Sequence, residues 1–278
     1  MVTAARHLSA AGVASPRVDA ELLAAHVLGR DRGALLTAPG FDAVQEREFF
    51  SLVRRRADHE PLQHLVGSAG FHRLELAVGP GVFVPRPETE LLVEWGLSAI
   101  AGTARPLVVD LCAGSGAIGL AVAAERPDAR VYAVERDPAA LRWLYRNASA
   151  RQRAGDSPTA VAAGDATAPH VLAGLDGRVD LVLANPPYVP TGVTLPPDVA
   201  GRDPGEALHA GPDGLAVIRP LTRRAATLLR RGGWLGVEHD DTQGEAATHL
   251  LTTQNTWTEI TDHTDLTGRP RFTTAHRT

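Results

Sequence analysis

Asn185-Pro186-Pro187-Tyr188 closes the apolar run VDLVLA at 179–184, and its residue types suit the holding of an amino nitrogen. A planar N–H₂ group, from an amide or a base, is a poor nucleophile because its lone pair is delocalised. Its two hydrogens need two acceptors. The side-chain oxygen of Asn185 can supply one and the backbone carbonyl of Pro186 the other, because proline keeps its acceptor and has no N–H. Pro186 and Pro187 hold those oxygens rigidly, as preorganised electrostatics requires. The ring of Tyr188 can pack on the planar group. An Asx turn that merely stops a strand would explain Asn-Pro alone, but leaves the full four-residue turn unexplained.

A second group of residues precedes it. VVDLCAGSGAIG reads as a strand, a tight turn and a helix, with Gly114, Gly116 and Gly119 in G-x-G-x-x-G spacing. Such glycines let backbone approach a ligand at a strand's carboxyl edge, where the helix N-terminus presents free N–H groups. Glu135 ends the next strand, where it could accept from two ribose hydroxyls. The spacing suits a dinucleotide or S-adenosylmethionine (SAM), and a plain tight turn would also produce it. SAM enzymes usually read acid-x-Gly-x-Gly-x-Gly. Asp110 supplies that acid, and Cys112 replaces the first glycine, which is tolerable where φ is negative and a small side chain fits. Without an identified base partner, Cys112 reads as a small packed residue rather than a nucleophile. With a sulfonium donor in the glycine loop, a nitrogen held by Asn185 would lie in line with its methyl. That transfer depends on proximity and desolvation and needs no strong base.

These residues need a scaffold with both loops at one edge. From 107 onward, short apolar runs alternate with helical segments. Strands are expected at 107–111, 130–135, 159–163, 180–184, 233–239, 257–261 and 271–275, with helices at 117–125, 138–150, 213–230 and 243–254. This alternation predicts a mostly parallel sheet covered on both faces, ending in an antiparallel pair. Upstream, residues 88–101 are helical and the Gly/Pro-punctuated stretch near 65–84 reads as a β-hairpin. The first 60 residues or so read as helices, one presenting Val18, Leu22 and Ala25 before a Gly29 stop. Another is capped by Asp42 and presents Val44, Phe49, Leu52 and Val53. Residues 189–212 form a long Pro/Gly loop, of the kind that is usually functional or mobile.

Composition narrows the options. The 278 residues are 44% hydrophobic and 22% charged, with a net charge of -4. An acidic balance without a basic arm argues against stable nucleic-acid binding, and Arg54-Arg55-Arg56 reads as a solvated helix face. No apolar run reaches membrane length, and the N-terminus lacks a signal pattern. A single cysteine excludes an intramolecular disulfide and a Cys-rich zinc site; no metal is expected. The expected location is the cytoplasm. Every basic residue other than histidine is arginine, which a biased genome explains.

Asn-Pro-Pro-Tyr beside a SAM-type loop resembles the amino-group methyltransferases. VFVPRPETELLVEW (82–95), DLCAGSGAIGLAVA (110–123), LANPPYVP (183–190), GPDGLAVIRPL (211–221), VEHDDTQGE (237–245) and DLTGRPRF (265–272) occur in the order seen in the bacterial release-factor glutamine methyltransferases. VDAELLAAHVLG and EPLQHLVGSAGFHRLEL extend the resemblance across essentially the whole chain. The resemblance implies an α/β fold of the class I SAM-dependent methyltransferases, a Rossmann-like seven-stranded sheet over residues 85–278. A helical N-terminal domain (1–63) that helps grip the substrate and a β-hairpin linker (64–84) would precede it. It implies N5-methylation of the glutamine in the Gly-Gly-Gln motif of class I peptide chain release factors, by a monomer with SAM as donor and S-adenosylhomocysteine as product. By position, Asp110, Cys112, Ala113, Gly114, Ser115, Gly116 and Glu135 would hold SAM, and Asp165 and Ala166 would contact its adenine. Asn185, Pro186, Pro187 and Tyr188 would hold the glutamine, with Asn185 also at the cofactor and Asn185, Pro186 and Tyr188 carrying catalysis. Cys112 stands where many relatives carry glycine, Ala166 where some carry a bulky aromatic, and Asp240 puts a charge where glycine is common. The turn alone does not separate glutamine from adenine N6, nor a release factor from a ribosomal protein. An NAD-linked protein would leave Asn-Pro-Pro-Tyr without a purpose.

Overall fold

A computed structural model describes residues 1–193, 205 and 208–278, so the expected long loop over 189–212 lies partly outside the described residues. The chain divides into two compact units.

The first comprises Met1–Ser68 and Val78–Pro80 among the described residues. It contains helices α1 (Val2–Ala10), α2 (Pro16–Leu28), α3 (Ala43–Ala57) and α4 (Leu62–Val66), with a 3₁₀ turn at Arg32–Thr37. Leu8, Leu23, Phe49, Leu52, Val53 and Leu65 form its core. Asp42 caps α3: its carboxylate accepts from the N–H groups of Val44 and Gln45, and Gln45 reaches back to the Asp42 N–H. Gly29 ends α2 with φ 60°. The faces differ from expectation. In α2 the buried residues are Asp19, Ala20, Leu23, Ala24 and Ala25, while Val18 and Leu22 are half-buried. Val44 is 62% exposed. Asp19 is in this core because its carboxylate takes the guanidinium of Arg56 at 2.7 Å.

A two-stranded hairpin, β1 (Ser68–Phe71) and β2 (Leu74–Ala77), follows, all but Ser68 of it in the second unit. It is shorter than expected because residues 62–66 are helical, ended by Gly67 at φ 78°. Then follow α5 (Thr89–Ala99), β3 (Leu107–Leu111), α6 (Ala117–Glu125), β4 (Arg130–Glu135), α7 (Pro138–Arg153), β5 (Thr159–Ala163), β6 (Val179–Ala184), α8 (Ile218–Leu228), β7 (Leu229–Glu238), α9 (Gly244–Thr253), β8 (Trp257–Thr264) and β9 (Pro270–Arg277). The seven-stranded sheet has the order β5-β4-β3-β6-β7-β9-β8. It is parallel from β5 to β7, and β9 runs antiparallel between β7 and β8. The expected α/β architecture is therefore present. Alternate residues of β3 serve opposite faces: Leu107, Val109 and Leu111 join one core and Val108 the other. The last parallel strand starts at Leu229, four residues early, and a register irregularity on β6 between Val179 and Leu181 absorbs the extra residues around Gly232-Gly233. Helix α8 consequently stops at Leu228.

Helix α5 lies unusually close to the sheet. A Cβ on Gly236 of β7 would stand 2.7 Å from Leu92 Cδ1 and 3.0 Å from the Trp95 ring. That close approach carries Thr89, at the N-terminal end of α5, to the carboxyl edge of β6 and β7. No described helix is long and apolar enough to cross a membrane.

Candidate active site

Leu111 of β3 pairs with Val134 of β4 on one side and Ala184 of β6 on the other. The strand order reverses at β3, which opens a crevice above the carboxyl ends of these strands. Loop 112–116 and turn 185–188 therefore leave neighbouring strands at one level. Glu135 pairs with Ala163 at the ends of β4 and β5, and the Gly164 N–H donates to the Glu135 carbonyl at 2.9 Å. Asp165-Ala166, Glu135, the glycine loop and Asn185-Tyr188 thus follow one another along a single sheet edge.

The glycine loop coils through three left-handed residues, Cys112 (φ 64°), Gly114 (φ 56°) and Gly116 (φ 91°). This corrects the expectation of a negative φ at Cys112: the residue adopts the conformation that glycine favours, at a cost of roughly 1–2 kcal/mol. The loop holds it there. The Ala113 N–H donates to the Val134 carbonyl at 2.9 Å and the Gly116 N–H to the Ala113 carbonyl at 2.7 Å. The Ser115 carbonyl accepts from Asn147 Nδ2 at 2.9 Å, and the same buried Asn147 grips both the N–H and the carbonyl of Ala77. Although Cys112 is partly exposed, desolvation pushes its thiol up, and Glu135 and Asp110 push it in the same direction. It stays protonated, which suits packing rather than nucleophilic attack.

Asp110 lies below the loop. It is fully buried, and its Oδ2 accepts the Gly119 N–H at 2.8 Å, fastening the first turn of α6 to β3. Its Oδ1 is buried without a partner. Burial, opposed by the Gly119 bond, pushes this carboxyl up to about 7. Glu135 is engaged by backbone. Oε1 accepts from the N–H groups of Arg136 and Asp137 at 2.7 and 2.8 Å, and Oε2 accepts from Gly114 at 2.8 Å. An oxygen with two lone pairs and one bond leaves Oε2 one further acceptor position. The expected double acceptance from two hydroxyls therefore requires one existing bond to be exchanged. Asp165 is exposed, Ala166 is buried, and Asp165 Oδ1 accepts from both the N–H and the hydroxyl of Thr167. Those bonds keep the Asp165 carboxyl below its ordinary range.

In the turn after β6, Pro186 is buried and Asn185, Pro187 and Tyr188 are half-buried. Asn185 Nδ2 donates to the Thr89 hydroxyl at 3.2 Å. The Tyr188 hydroxyl donates to Glu238 Oε1 at 3.3 Å. The Tyr188 carbonyl accepts from Gln243 Nε2 at 2.8 Å, and the same nitrogen donates to the Asp213 carbonyl at 3.0 Å. Glu238 ends β7, beside β6 through the pair Ala184–Val237. Burial pushes its carboxyl up to about 7, with Thr89 and Tyr188 opposing as hydrogen-bond donors. Burial and the neighbouring Glu238 push the Tyr188 phenol up.

Thr89, Glu238 and Gln243 are the polar partners of this turn that received no role from the sequence. Each lies in one of the stretches that carry the resemblance, PRPETE or VEHDDTQGE. Asp240 makes a compact turn of its own, accepting from the N–H and hydroxyl of Thr242, and its φ is not in the left-handed region. No cluster of described residues could hold a metal ion.

Comparison with known proteins places the chain. A family model described as the PrmC N-terminal domain matches residues 2–67, and one described as a methyltransferase small domain matches 78–199. A release factor glutamine methyltransferase of Mycolicibacterium smegmatis is 53% identical over 97% of this chain and 94% of its own length. This chain belongs to the release factor glutamine methyltransferase family. Members from Streptomyces coelicolor (47% identical, covering 99% of this chain and 95% of the relative) and Mycobacterium tuberculosis (44%, 99% and 89%) agree. Among solved structures, the hMettl16 catalytic domain in complex with MAT2A 3'UTR hairpin 6 aligns with a TM-score of 0.56 at 14% identity, over 86% of this chain and 84% of that one. The Thermus thermophilus 16S rRNA N2 G1207 methyltransferase in complex with AdoMet and guanosine gives 0.53 at 22%, over 76% and 50%. At those identities the likeness is one of fold. Within the release factor glutamine methyltransferase family, Cys112 is a left-handed residue in the glycine loop of this member.

Proposed function

We infer that this chain is a SAM-dependent protein-(glutamine-N5) methyltransferase acting on the Gly-Gly-Gln glutamine of class I peptide chain release factors in the cytoplasm. The observation that carries it is the register Leu111–Ala184, which sets an acid-ringed glycine loop directly beside an Asn-Pro-Pro-Tyr turn.

The loop's surroundings fit a cationic donor better than a pyrophosphate. Glu135, Asp110 and Asp165 act on Cys112 from around the loop, and Arg136 is the one base among its main influences. A doubly negative dinucleotide bridge would meet that field unfavourably. Asp110 Oδ1, buried without a partner, and the open acceptor position on Glu135 Oε2 are polar groups that a bound ligand can satisfy. Residues 112–116 and Glu135 would hold SAM, with Asp165 and Ala166 at its adenine and Asp110 bracing the loop. When bound, SAM supplies an electrophilic methyl on a sulfonium.

The chain's own groups do the rest. Asn185 Oδ1 and the Pro186 carbonyl accept the two amide hydrogens of the glutamine, which orients its nitrogen and localises electron density on it. The Tyr188 ring packs on the amide plane. The nitrogen's proton leaves once the nitrogen becomes cationic, so no strong base is required. The N-terminal unit, residues 1–63 in this reading, grips the release factor, and residues 64–84 link it to the methyltransferase domain at 85–278.

The test is mass spectrometry of release factors and ribosomal proteins after incubation with enzyme and SAM. A methyl-sized increase confined to the Gly-Gly-Gln peptide is expected. An increase on a ribosomal-protein glutamine alone would reassign the substrate.

A further inference from the structure

Two prolines do not by themselves fix the end of the Asn-Pro-Pro-Tyr turn. A proline ring locks its own φ and leaves ψ free, so the peptide that follows Tyr188 must be oriented from outside. Gln243 orients it. Its side chain is buried, and its amide nitrogen is spent on two carbonyls: Nε2 donates to Tyr188 at 2.8 Å and to Asp213 at 3.0 Å. Its Oε1 accepts the Asp240 N–H at 2.9 Å. The two carbonyls thereby select the nitrogen end of the amide, and the Asp240 N–H selects the oxygen end. Three segments meet on this one side chain: the turn after β6, the loop before α8 and the turn between β7 and α9. Beyond Tyr188 the backbone continues the fastening. The Val189 N–H donates to the Leu208 carbonyl at 2.7 Å, that of Ala210 to the Val189 carbonyl at 2.9 Å, and that of Thr191 to the Gly211 carbonyl at 2.8 Å. The start of α9 does not draw on the Gln243 side chain. There the Gln243 N–H donates to the Asp240 carbonyl at 2.9 Å, and the Gln243 carbonyl accepts from Ala247 at 2.8 Å.

We propose that Gln243 is a positioning residue for methyl transfer: by tying the Tyr188 carbonyl to the Asp213 carbonyl, it sets the direction in which the Tyr188 ring leaves the turn, and hence the plane against which the substrate amide lies. This rests on the turn being the holder of the substrate's amino group. Two carbonyl oxygens converge at Gln243 Nε2, and a neutral amide can serve both while its own oxygen takes a third backbone group. A methionine of similar length would leave both carbonyls and the Asp240 N–H without that partner. The Tyr188 ring has a second hold, its hydroxyl on Glu238 Oε1 at 3.3 Å. Backbone and side chain of one residue are thus fastened separately, from the start of α9 and from β7. The glycine loop leaves a different strand, β3, so SAM affinity does not follow the state of Gln243.

The experiment assays Gln243→Met, Gly214→Ala, the two together and Asn185→Ala, each with a release factor and SAM. Gln243→Met keeps length and removes the hydrogen bonds. It is expected to lower kcat about tenfold, the factor for one net hydrogen bond. The KM for the release factor and the stoichiometry and Kd for SAM stay at wild-type values, which a general loosening of the domain would not allow. Gly214→Ala crowds the same Tyr188 carbonyl. The two substitutions therefore act through one group, and their combination is no slower than the slower of the pair. Wild-type kcat in Gln243→Met, or a SAM Kd that weakens in step with kcat, overturns the positioning role. Losses that multiply in the double substitution overturn the shared route through Tyr188. If Gln243→Met does not fold, Gly214→Ala decides by the same measurements, and a wild-type kcat there overturns the proposal. Asn185→Ala separates the two levels. A rate near wild type in Asn185→Ala overturns the reading of the turn as substrate holder, whereas an inactive Asn185→Ala beside a fully active Gln243→Met removes only Gln243 from it.

Discussion

Gly214 packs directly under the carbonyl oxygen of Tyr188: a Cβ there would overlap both that oxygen and Gln243 Nε2, which donates to it. Gly214 also has φ 70°, so space and backbone both call for glycine. Substituting Gly214→Ala is expected to displace the Tyr188 turn and lower kcat by about tenfold or more, while the SAM Kd changes little, because the glycine loop is on another strand. Steady-state kinetics with a release factor and calorimetry with SAM check the two halves.

Asn185→Ala is expected to abolish transfer and leave SAM binding nearly intact. On the proposed role the substrate amide loses the acceptor that aligns its nitrogen, and removing one preorganised polar group from an active site costs on the order of a hundredfold or more. Methylation followed by mass spectrometry measures it. A rate near wild type would sink the mechanism.

Glu135→Ala removes the acceptor of three backbone N–H groups, those of Gly114, Arg136 and Asp137. Two effects are expected together. SAM affinity falls severalfold or more, through lost hydroxyl contacts and a loosened loop. Stability falls by about 1–3 kcal/mol, since buried donors are left unmet. Titration calorimetry and chemical denaturation read them separately, and unchanged SAM affinity would remove Glu135 from the cofactor site.

Much of this arrangement is legible in the sequence. Strands at 107–111, 130–135 and 159–163 match β3, β4 and β5 residue for residue, because short apolar runs between turn-forming segments leave little freedom. The two loops could be assigned to one edge because strand–helix alternation fixes the side from which each loop emerges. What could not be read was the support. Thr89 meets Asn185 across 96 positions, and Glu238 meets Tyr188 only because β7 lies beside β6. Neither pairing leaves a periodic signal. Cys112 is a further case: its left-handed φ depends on bonds to Val134 and within the loop, which spacing does not encode.

Stability should depend on pH through Asp110. Its carboxyl moves from 3.8 to about 7 in the folded chain. Between those values the folded state keeps a proton that the unfolded chain releases, so this group makes stability fall as pH rises from about 4 to about 7. Glu238, also raised to about 7, acts in the same direction. Asp110→Asn stays neutral throughout. Its melting midpoint is therefore expected to gain on wild type between about pH 5 and about pH 8, with no SAM present. Parallel curves for the two proteins would show that Asp110 is not protonated preferentially in the folded state.

In the N-terminal unit, Asp19 and Arg56 form an ion pair with side chains only 9% and 7% exposed. Arg56 also donates to the Glu60 carbonyl at 3.1 Å. Forming such a pair contributes little net stability, since desolvation of both ions offsets their attraction. Breaking it is costly, because the buried Asp19–Arg56 contact is lost without the two groups regaining full hydration. Asp19→Ala is expected to destabilise this unit by about 3–5 kcal/mol, whereas Arg17→Ala, which breaks the solvent-screened surface pair with Glu21, should cost far less. Hydrogen exchange resolved by peptide tests where the loss falls. Faster exchange confined to α2 and α3, with β3 to β6 unchanged, would place it in the N-terminal unit. Equal losses from the two substitutions would show that burial of the Asp19–Arg56 pair carries no special weight.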